Sequence, residues 1–317
     1  MVSLIQLEYI VAVDTYRHFA TAAENCFVTQ PTLSMQIKKM EEDLGVMIFD
    51  RSKQPVIPTD VGRLIIDQAR VTLRESGKIK DIVQSFQNKV NGELKIGIIP
   101  TLAPYLLPLF VGSFTREFPD IQLLVHELLT EEIIDHLQKD ILDVGLLVTP
   151  LHEKNIVEKP LFYEEIMVYS NQAHSILQSK HLQPRDIAQQ DLWMLNDGHC
   201  FHSQVANLCG YQEEAQKQQT FSYRSGSLET LKKMVEVEGG FTLLPELAIA
   251  DLPDHKKAQT RKFDQITPLR EVSLVYVRNF AKSKLLNLLF KHIQENVPAE
   301  MLSKDKGEVT EWRWVFF

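Results

Sequence analysis

The chain has 317 residues, 44% of them apolar, and a formal net charge of −8, enough for two or three domains each with its own core. No apolar run approaches the roughly eighteen residues of a membrane span, and the opening Met1-Val2-Ser3-Leu4-Ile5-Gln6 meets the acid Glu8 with no basic region before it. This excludes a membrane protein and a secretory leader, so a cytoplasmic location is expected. Three cysteines there argue against a structural disulfide framework, leaving redox, metal or core roles.

The first ninety residues predict helices. Leu4, Leu7, Ile10 and Thr15 recur at helical spacing over Leu4 to Tyr16, and a short second helix spans about Ala20 to Cys26 before the turn Phe27-Val28-Thr29. A third is capped by Thr29, carries Pro31 in its first turn, and runs through Leu33, Ile37, Met40 and Leu44 to stop at Gly45. Cys26, on an apolar helical face, reads as core. Two apolar runs follow, Val46 to Arg51 and Ser52 to Ile57, around a polar turn: a β wing. Thr59 then caps a long helix from Asp60 to about Asn88, about 43 Å long, whose apolar stripe (Val61, Leu64, Ile65, Ala69, Leu73, Ile79, Ile82, Val83, Phe86) calls for a partner helix from a second subunit.

From Asn91-Gly92 strands and helices alternate. Glu93 to Ile99, Ile121 to Glu127 and Asp143 to Val148 read as strands, with Tyr105 to Phe118 and Glu131 to Lys139 as helices between them, the pattern of a parallel α/β sheet. A second unit takes strands at Ile166 to Ser170, Leu192 to Leu195, Thr220 to Tyr223 and Thr242 to Leu244, and helices near Pro184 and from Leu228 to Glu236. Val272 to Val277 gives a strand and Lys282 to Asn296 a closing helix. The aromatic tail Glu311 to Phe317 is expected to dock on protein.

The first ninety residues hold eleven basic and eleven acidic residues, so the whole net charge of −8 lies beyond them and only this segment can offer a phosphate-facing surface. Two helices joined by a short turn, the second with a polar start, make a helix-turn-helix. Gln30, Pro31, Thr32, Ser34 and Gln36 form that start and can reach base edges or phosphates of double-stranded DNA; Lys38 and Lys39, with Arg51 and Lys53 on the wing, can meet phosphate. A plain three-helix bundle with a solvated face has the same pattern.

Phe19-Ala20-Thr21-Ala22-Ala23, Thr29-Gln30-Pro31-Thr32-Leu33-Ser34-Met35-Gln36-Ile37, Leu44-Gly45-Val46-Met47-Ile48-Phe49-Asp50-Arg51 and Thr59-Asp60-Val61-Gly62 together resemble the signature of the LysR-type transcriptional regulators. The resemblance implies a winged helix-turn-helix (1–58), a dimerising linker helix (59–90) and a Rossmann-like α/β effector domain (91–300) with two lobes like those of periplasmic binding proteins. The lobes fall at about 91–162 with 266–300 and about 163–265, leaving a tail at 301–317. It also implies a homodimer or homotetramer that acts on promoter DNA and on RNA polymerase.

Cys200 and Cys209 stand nine residues apart. If the run is helical their alpha carbons are roughly 13 Å apart on opposite faces, whereas a disulfide needs about 7 Å or less. Two thiols free in one fold and joined only in another define a redox switch. A helix starting at Asp197 or Gly198 would put Cys200 in its first turn, where free amides favour thiolate.

The segments Ile96-Gly97-Ile98-Ile99-Pro100-Thr101, Asn196-Asp197-Gly198-His199-Cys200 with Gln204 and Cys209, Ser227-Leu228-Glu229-Thr230-Leu231 and Gly240-Phe241-Thr242-Leu243-Leu244-Pro245 are similar to those of hydrogen peroxide-sensing members of that family. The similarity implies Cys200 as the thiol that meets peroxide and Cys209 as its resolving partner. Thr101, Thr130 and Arg270 would be donors, His199 would orient or polarise the site, and a glutaredoxin- or thioredoxin-type reductant would reset it without any cofactor. It departs at His202 and Ser203, where a basic and an acidic residue usually stand. Three rival readings remain: zinc bound by His199, Cys200, His202 and Cys209; a small metabolite sensed between lobes; and a thiol peroxidase.

Overall fold

The computed structural model describes residues 2–86, 91–179, 182–187, 191–209, 226–278, 280 and 282–310. The predicted strand at Thr220 to Tyr223, the end of the long helix beyond Phe86 and the aromatic tail lie outside them. Two units divide the chain, Met1–Val90 with Asn279–Ser283, and Asn91–Arg278 with Lys284–Phe317.

In the first unit Ser3 opens α1 (Leu4–Tyr16) with a capping box: its hydroxyl accepts from the Gln6 amide while the Gln6 side chain accepts from the Ser3 amide. After α2 (Phe19–Asn25), Thr29 caps α3 (Gln30–Leu44), and Gly45 ends it in the left-handed conformation at φ 69°. Ile10, Val13, Ala22, Leu33, Ile37 and Met40 are buried together with Ile48 and Phe49, each large side chain contributing roughly 1.5–3 kcal/mol. The wing is a two-residue pairing, β1 (Phe49–Asp50) antiparallel to β2 (Ile57–Pro58).

Helix α4 (Asp60–Phe86) starts where sequence places it: the Thr59 hydroxyl accepts from the Gly62 amide at 3.0 Å and donates to the Met47 carbonyl at 2.7 Å. Gly62 is required there, because a Cβ would stand 2.0 Å from the Ile48 carbonyl oxygen. Buried Arg70 on α4 reaches Asp14 on α1 at 3.0 Å, locking the two helices together. Farther along, Leu64, Ile79, Ile82 and Val83 remain exposed within this single chain.

The second unit is built on one sheet in the order β4-β3-β5-β9-β6-β7: β4 (Ile121–Glu127), β3 (Gly92–Ile98), β5 (Val144–Thr149), β9 (Pro268–Val277), β6 (Ile156–Ser170) and β7 (Phe241–Pro245). The expected parallel sheet is confined to β4-β3-β5; β9 joins β5 antiparallel, and β6 runs antiparallel to both β9 and β7. The sheet is therefore mixed. The cause is β6, fifteen residues long, of which only the apolar end Ile166 to Ser170 is legible: Glu158, Lys159, Pro160, Glu164 and Glu165 interrupt the pattern, and the register shifts between Pro160 and Phe162.

Helices α5 (Ala103–Glu117), α6 (Thr130–Gln138), α7 (Cys200–Cys209), α8 (Leu228–Glu238), α9 (Glu246–Ala250), α10 (Asp254–Lys257) and α11 (Ser283–Asn296) complete the unit with the short strands β8 (Thr260–Arg261) and β10 (Glu308–Val309). The helix expected near Pro184 is a single 3-10 turn, Pro184–Ile187, and of Leu192 to Leu195 only Leu192 and Leu195 stand in isolated bridges, that of Leu192 to Phe241. β10 pairs parallel with the start of β9. Among the described residues no helix is long and apolar enough to cross a membrane.

Candidate functional site

At the N-terminal end, α3 buries Leu33, Ile37 and Met40 and turns Gln30, Pro31, Thr32, Lys38 and Lys39 outward, with Ser34 and Gln36 half-buried. Not every polar group there is equally available. The Gln36 side chain faces the Gln6 amide at 3.5 Å, and Lys38 stands 3.7 Å from Glu42. Arg51 is the largest departure from its expected role: its guanidinium holds buried Glu41 at 2.9 Å, lies over the Phe19 ring and reaches Ser34, while Glu41 accepts from the Ile48 and Phe49 amides. Arg51 thus fastens the wing to α3, and Lys53 beside it is exposed. Phe27, 96% exposed in the turn at φ 57°, is a surface feature that sequence reading missed, since its neighbours are apolar.

The cysteine segment behaves differently from a surface loop. Gly198, at φ 97°, turns the chain into α7, whose first residue is Cys200 and whose last is Cys209. Both thiols are free and buried, on opposite sides of the helix by its periodicity, with alpha carbons roughly 13 Å apart along it. Phe201, Gln204, Val205 and Ala206 are buried as well, so α7 is enclosed on most of its circumference.

Three separate elements converge beside Cys200. Thr101 comes from the loop after β3, Thr130 is the first residue of α6, and Arg270 lies in β9, flanked by β5 and β6; all are buried, with Arg270 at 0% exposure. Arg270 donates from Nη1 to Thr101 Oγ1 and from Nη2 to the Thr101 carbonyl, both at 3.1 Å, and its guanidinium lies 5.5 Å from the Phe201 ring centre. Thr130 does not cap α6, where Leu129 takes the N-cap place; its hydroxyl faces the Cys200 sulfur and makes no other hydrogen bond, one of a few buried polar atoms so left. Thr130 and Arg270 are thus both enclosed, where a donor meets little competition from water.

The electrostatic balance corrects the expectation of a favoured thiolate. Burial pushes the Cys200 thiol up, and it outweighs the opposing pull of the Arg270 charge, the Thr130 hydroxyl and the Phe201 amide. Burial alone pushes Cys209 up to about 12. His199, also buried, is pushed down by its burial and by His202, so it is neutral near pH 7; its Nε2 is 3.6 Å from where a Cβ on Gly226 would stand. His202 turns to Asp197 at 3.4 Å. Among the described residues no three His, Cys, Asp or Glu side chains converge as metal ligands; Cys209, at the far end of α7, is too distant for the zinc set.

The last feature escaped sequence reading as a partner: Glu164, buried at 0% exposure in β6, accepts from Arg270 Nε at 2.7 Å and lies 2.6 Å from Nη2. No local motif marks it, because its partner is 106 residues away.

Known proteins carry the same two-part plan. Residues 4–63 match the bacterial regulatory helix-turn-helix proteins of the lysR family, and residues 87–298 match the LysR substrate binding domain. This chain belongs to the LysR family. Its LysR-type relatives include the hydrogen peroxide-inducible genes activator of Haemophilus influenzae, 35% identical over 85% of this chain and 89% of that one. Among solved structures, a full-length OxyR variant from Pseudomonas aeruginosa is 32% identical with a TM-score of 0.77, covering 94% of this LysR-type chain and 99% of its own. A hydrogen peroxide-bound OxyR mutant from Corynebacterium glutamicum is 28% identical with a TM-score of 0.60, covering 93% and 92%.

Proposed function

We propose that this LysR-type regulator senses hydrogen peroxide through Cys200 and answers by changing how it contacts promoter DNA. The observation that carries the reading is the buried Cys200 thiol at the start of α7, with Thr130 Oγ1 left open beside it and the Arg270–Thr101 pair at hand. Peroxide-inducible and peroxide-bound relatives support it.

The chemistry follows from the groups present. The Cys200 thiolate attacks one peroxide oxygen; the S–O bond forms, the O–O bond breaks, and the other oxygen leaves as hydroxide, which takes up a proton to become water. Negative charge grows on that departing oxygen, where the Arg270 guanidinium and the threonine hydroxyls are suited to stabilise it. Cys209 then attacks the sulfenic sulfur, forming the S–S bond and releasing the oxygen as a second water. Because a helix holds the two sulfurs far apart, closing the disulfide must unwind α7. A dithiol reductant of the glutaredoxin or thioredoxin class returns two electrons and restores both thiols.

Unwinding of a buried helix is a large enough change to re-space the DNA-reading ends of a homodimer or homotetramer. The exposed stripe of α4, Leu64, Ile79, Ile82 and Val83, supports such an assembly. Gln30, Thr32 and Lys39 would read or steady the duplex. Activation would then act through RNA polymerase in the cytoplasm, with no turnover of substrate.

Mass spectrometry of the thiols before and after stoichiometric peroxide tests the reading, together with footprints of both states. A new Cys200–Cys209 link with Cys26 unchanged and a shifted footprint is expected; inert thiols or identical footprints overturn it.

A further inference from the structure

We infer that Glu164 is a positioning residue for the Cys200 chemistry: it holds the Arg270 guanidinium in place and withholds its full charge from the thiol. The inference rests on the peroxide reading above and adds to it the group that sets how reactive the resting sulfur is.

Backbone register brings the pair together. Glu164 of β6 lies directly opposite Arg270 of β9, the placement in which cross-strand side chains meet. The carboxylate engages the guanidinium through Oε1, on Nε and Nη2, and its Oε2 accepts from the Leu247 amide at 3.1 Å. With both oxygens bound, Glu164 is fixed. One edge of the Arg270 fork is thereby committed to Glu164, and the other, with Nη1, faces Thr101. An arginine buried without a counter-ion is disfavoured, so two groups beside it can fill the role: the Glu164 carboxylate, which holds it in this structure, and the Cys200 thiolate.

The competition has a direction. While the carboxylate neutralises Arg270, the thiolate gains only part of the cation's field, and Cys200 stays a buried thiol. Without that negative charge the thiolate becomes the only anion left beside the guanidinium among the described residues, Thr101 offering neutral oxygens alone, and the sulfur ionises more readily. Among the described residues, other charged and titratable groups on and around these strands are engaged elsewhere, Glu271 with Thr149 and Tyr163. Tyr105 donates to Glu229, which also holds Lys232; Glu165 pairs with Lys262 and Glu246 with Lys306; His199 is neutral near pH 7, and His202 faces Asp197.

The test is the second-order rate of Cys200 oxidation by hydrogen peroxide as a function of pH, on the full chain, with quenched samples read by mass spectrometry. Glu164→Gln keeps an oxygen for Arg270 Nε but removes the charge. It is expected to move the midpoint of the pH profile down, and while that midpoint stays above 7 the rate at pH 7 should rise about three- to fourfold per pH unit, the tenfold gain in thiolate being partly offset by its lower nucleophilicity. Glu164→Asp, which keeps the charge, is expected to hold the wild-type midpoint. If Glu164→Gln does not fold, the neutral pair Glu164→Gln with Arg270→Gln is read instead, and its midpoint is expected above wild type because the cation is gone. An unchanged midpoint in Glu164→Gln, or in the double variant, overturns the inference. If peroxide leaves wild-type Cys200 untouched, it is the peroxide reading that fails.

Discussion

Gln204 Nε2 donates a 2.9 Å hydrogen bond to the Thr310 carbonyl, tying the middle of α7 to the end of β10. Thr310 in turn donates its amide to Leu269 at 2.7 Å, one residue before Arg270. The helix between the two cysteines and the strand carrying the arginine thus share one short connection, and α7 cannot unwind while Gln204 keeps its place.

Replacing Gln204 with Leu is therefore expected to loosen α7 in the reduced protein. The Thr310 carbonyl loses its donor, at a penalty of about 1–3 kcal/mol. Hydrogen exchange checks it: amides of α7 should lose protection, while those of β3 and β5 keep theirs.

Cys200→Ser should abolish the peroxide response. Cys209→Ser should leave Cys200 oxidisable but halted at the sulfenic acid, trapped by a dimedone-type reagent and seen as a mass adduct. Loss of adduct in Cys209→Ser would refute the proposed order of the two sulfurs.

Much of this arrangement was legible from sequence, for local reasons. Thr29, Pro31 and Gly45 are residues whose backbone chemistry starts and stops a helix, and α3 runs between them. The α7 segment was recognisable from its paired cysteines. The first two-thirds of β6 was not, because its polar residues point to partners distant in the chain: Glu164 to Arg270, Glu165 to Lys262 and Lys159 to Asn287. The raised Cys200 thiol was hidden for a related reason. Helix-start amides are a local signal, whereas burial depends on the Phe201 ring, α6 and β9 closing over it.

On the DNA-facing helix, Lys39→Ala should weaken binding to all sequences alike and lower the salt slope by about one. Gln30→Ala should instead reduce discrimination between operators by about 1–3 kcal/mol. Titrations at several salt concentrations separate the two. Arg51→Ala should differ from both by lowering thermal stability, since it strands the buried Glu41.

Stability of the regulatory unit should fall in alkaline solution. The folded Cys209 thiol ionises only near 12, the unfolded one near its ordinary value of 9.0, so the contribution is intact below pH 9 and is lost as pH rises from there toward 12. The slope is about 1.4 kcal/mol per pH unit. Denaturation midpoints across this range should show it, and Cys209→Ser should reduce it, the remainder coming from the Cys200 thiol, which burial raises as well.

Cys200 is only 3% exposed. For the proposed peroxide response, such enclosure favours a small oxidant over a glutathione disulfide or a bulky organic hydroperoxide, which would have to wait for α7 to open. Size would then join thiol acidity in setting what the thiol answers to, and a substitution that widens the approach is expected to blunt that discrimination.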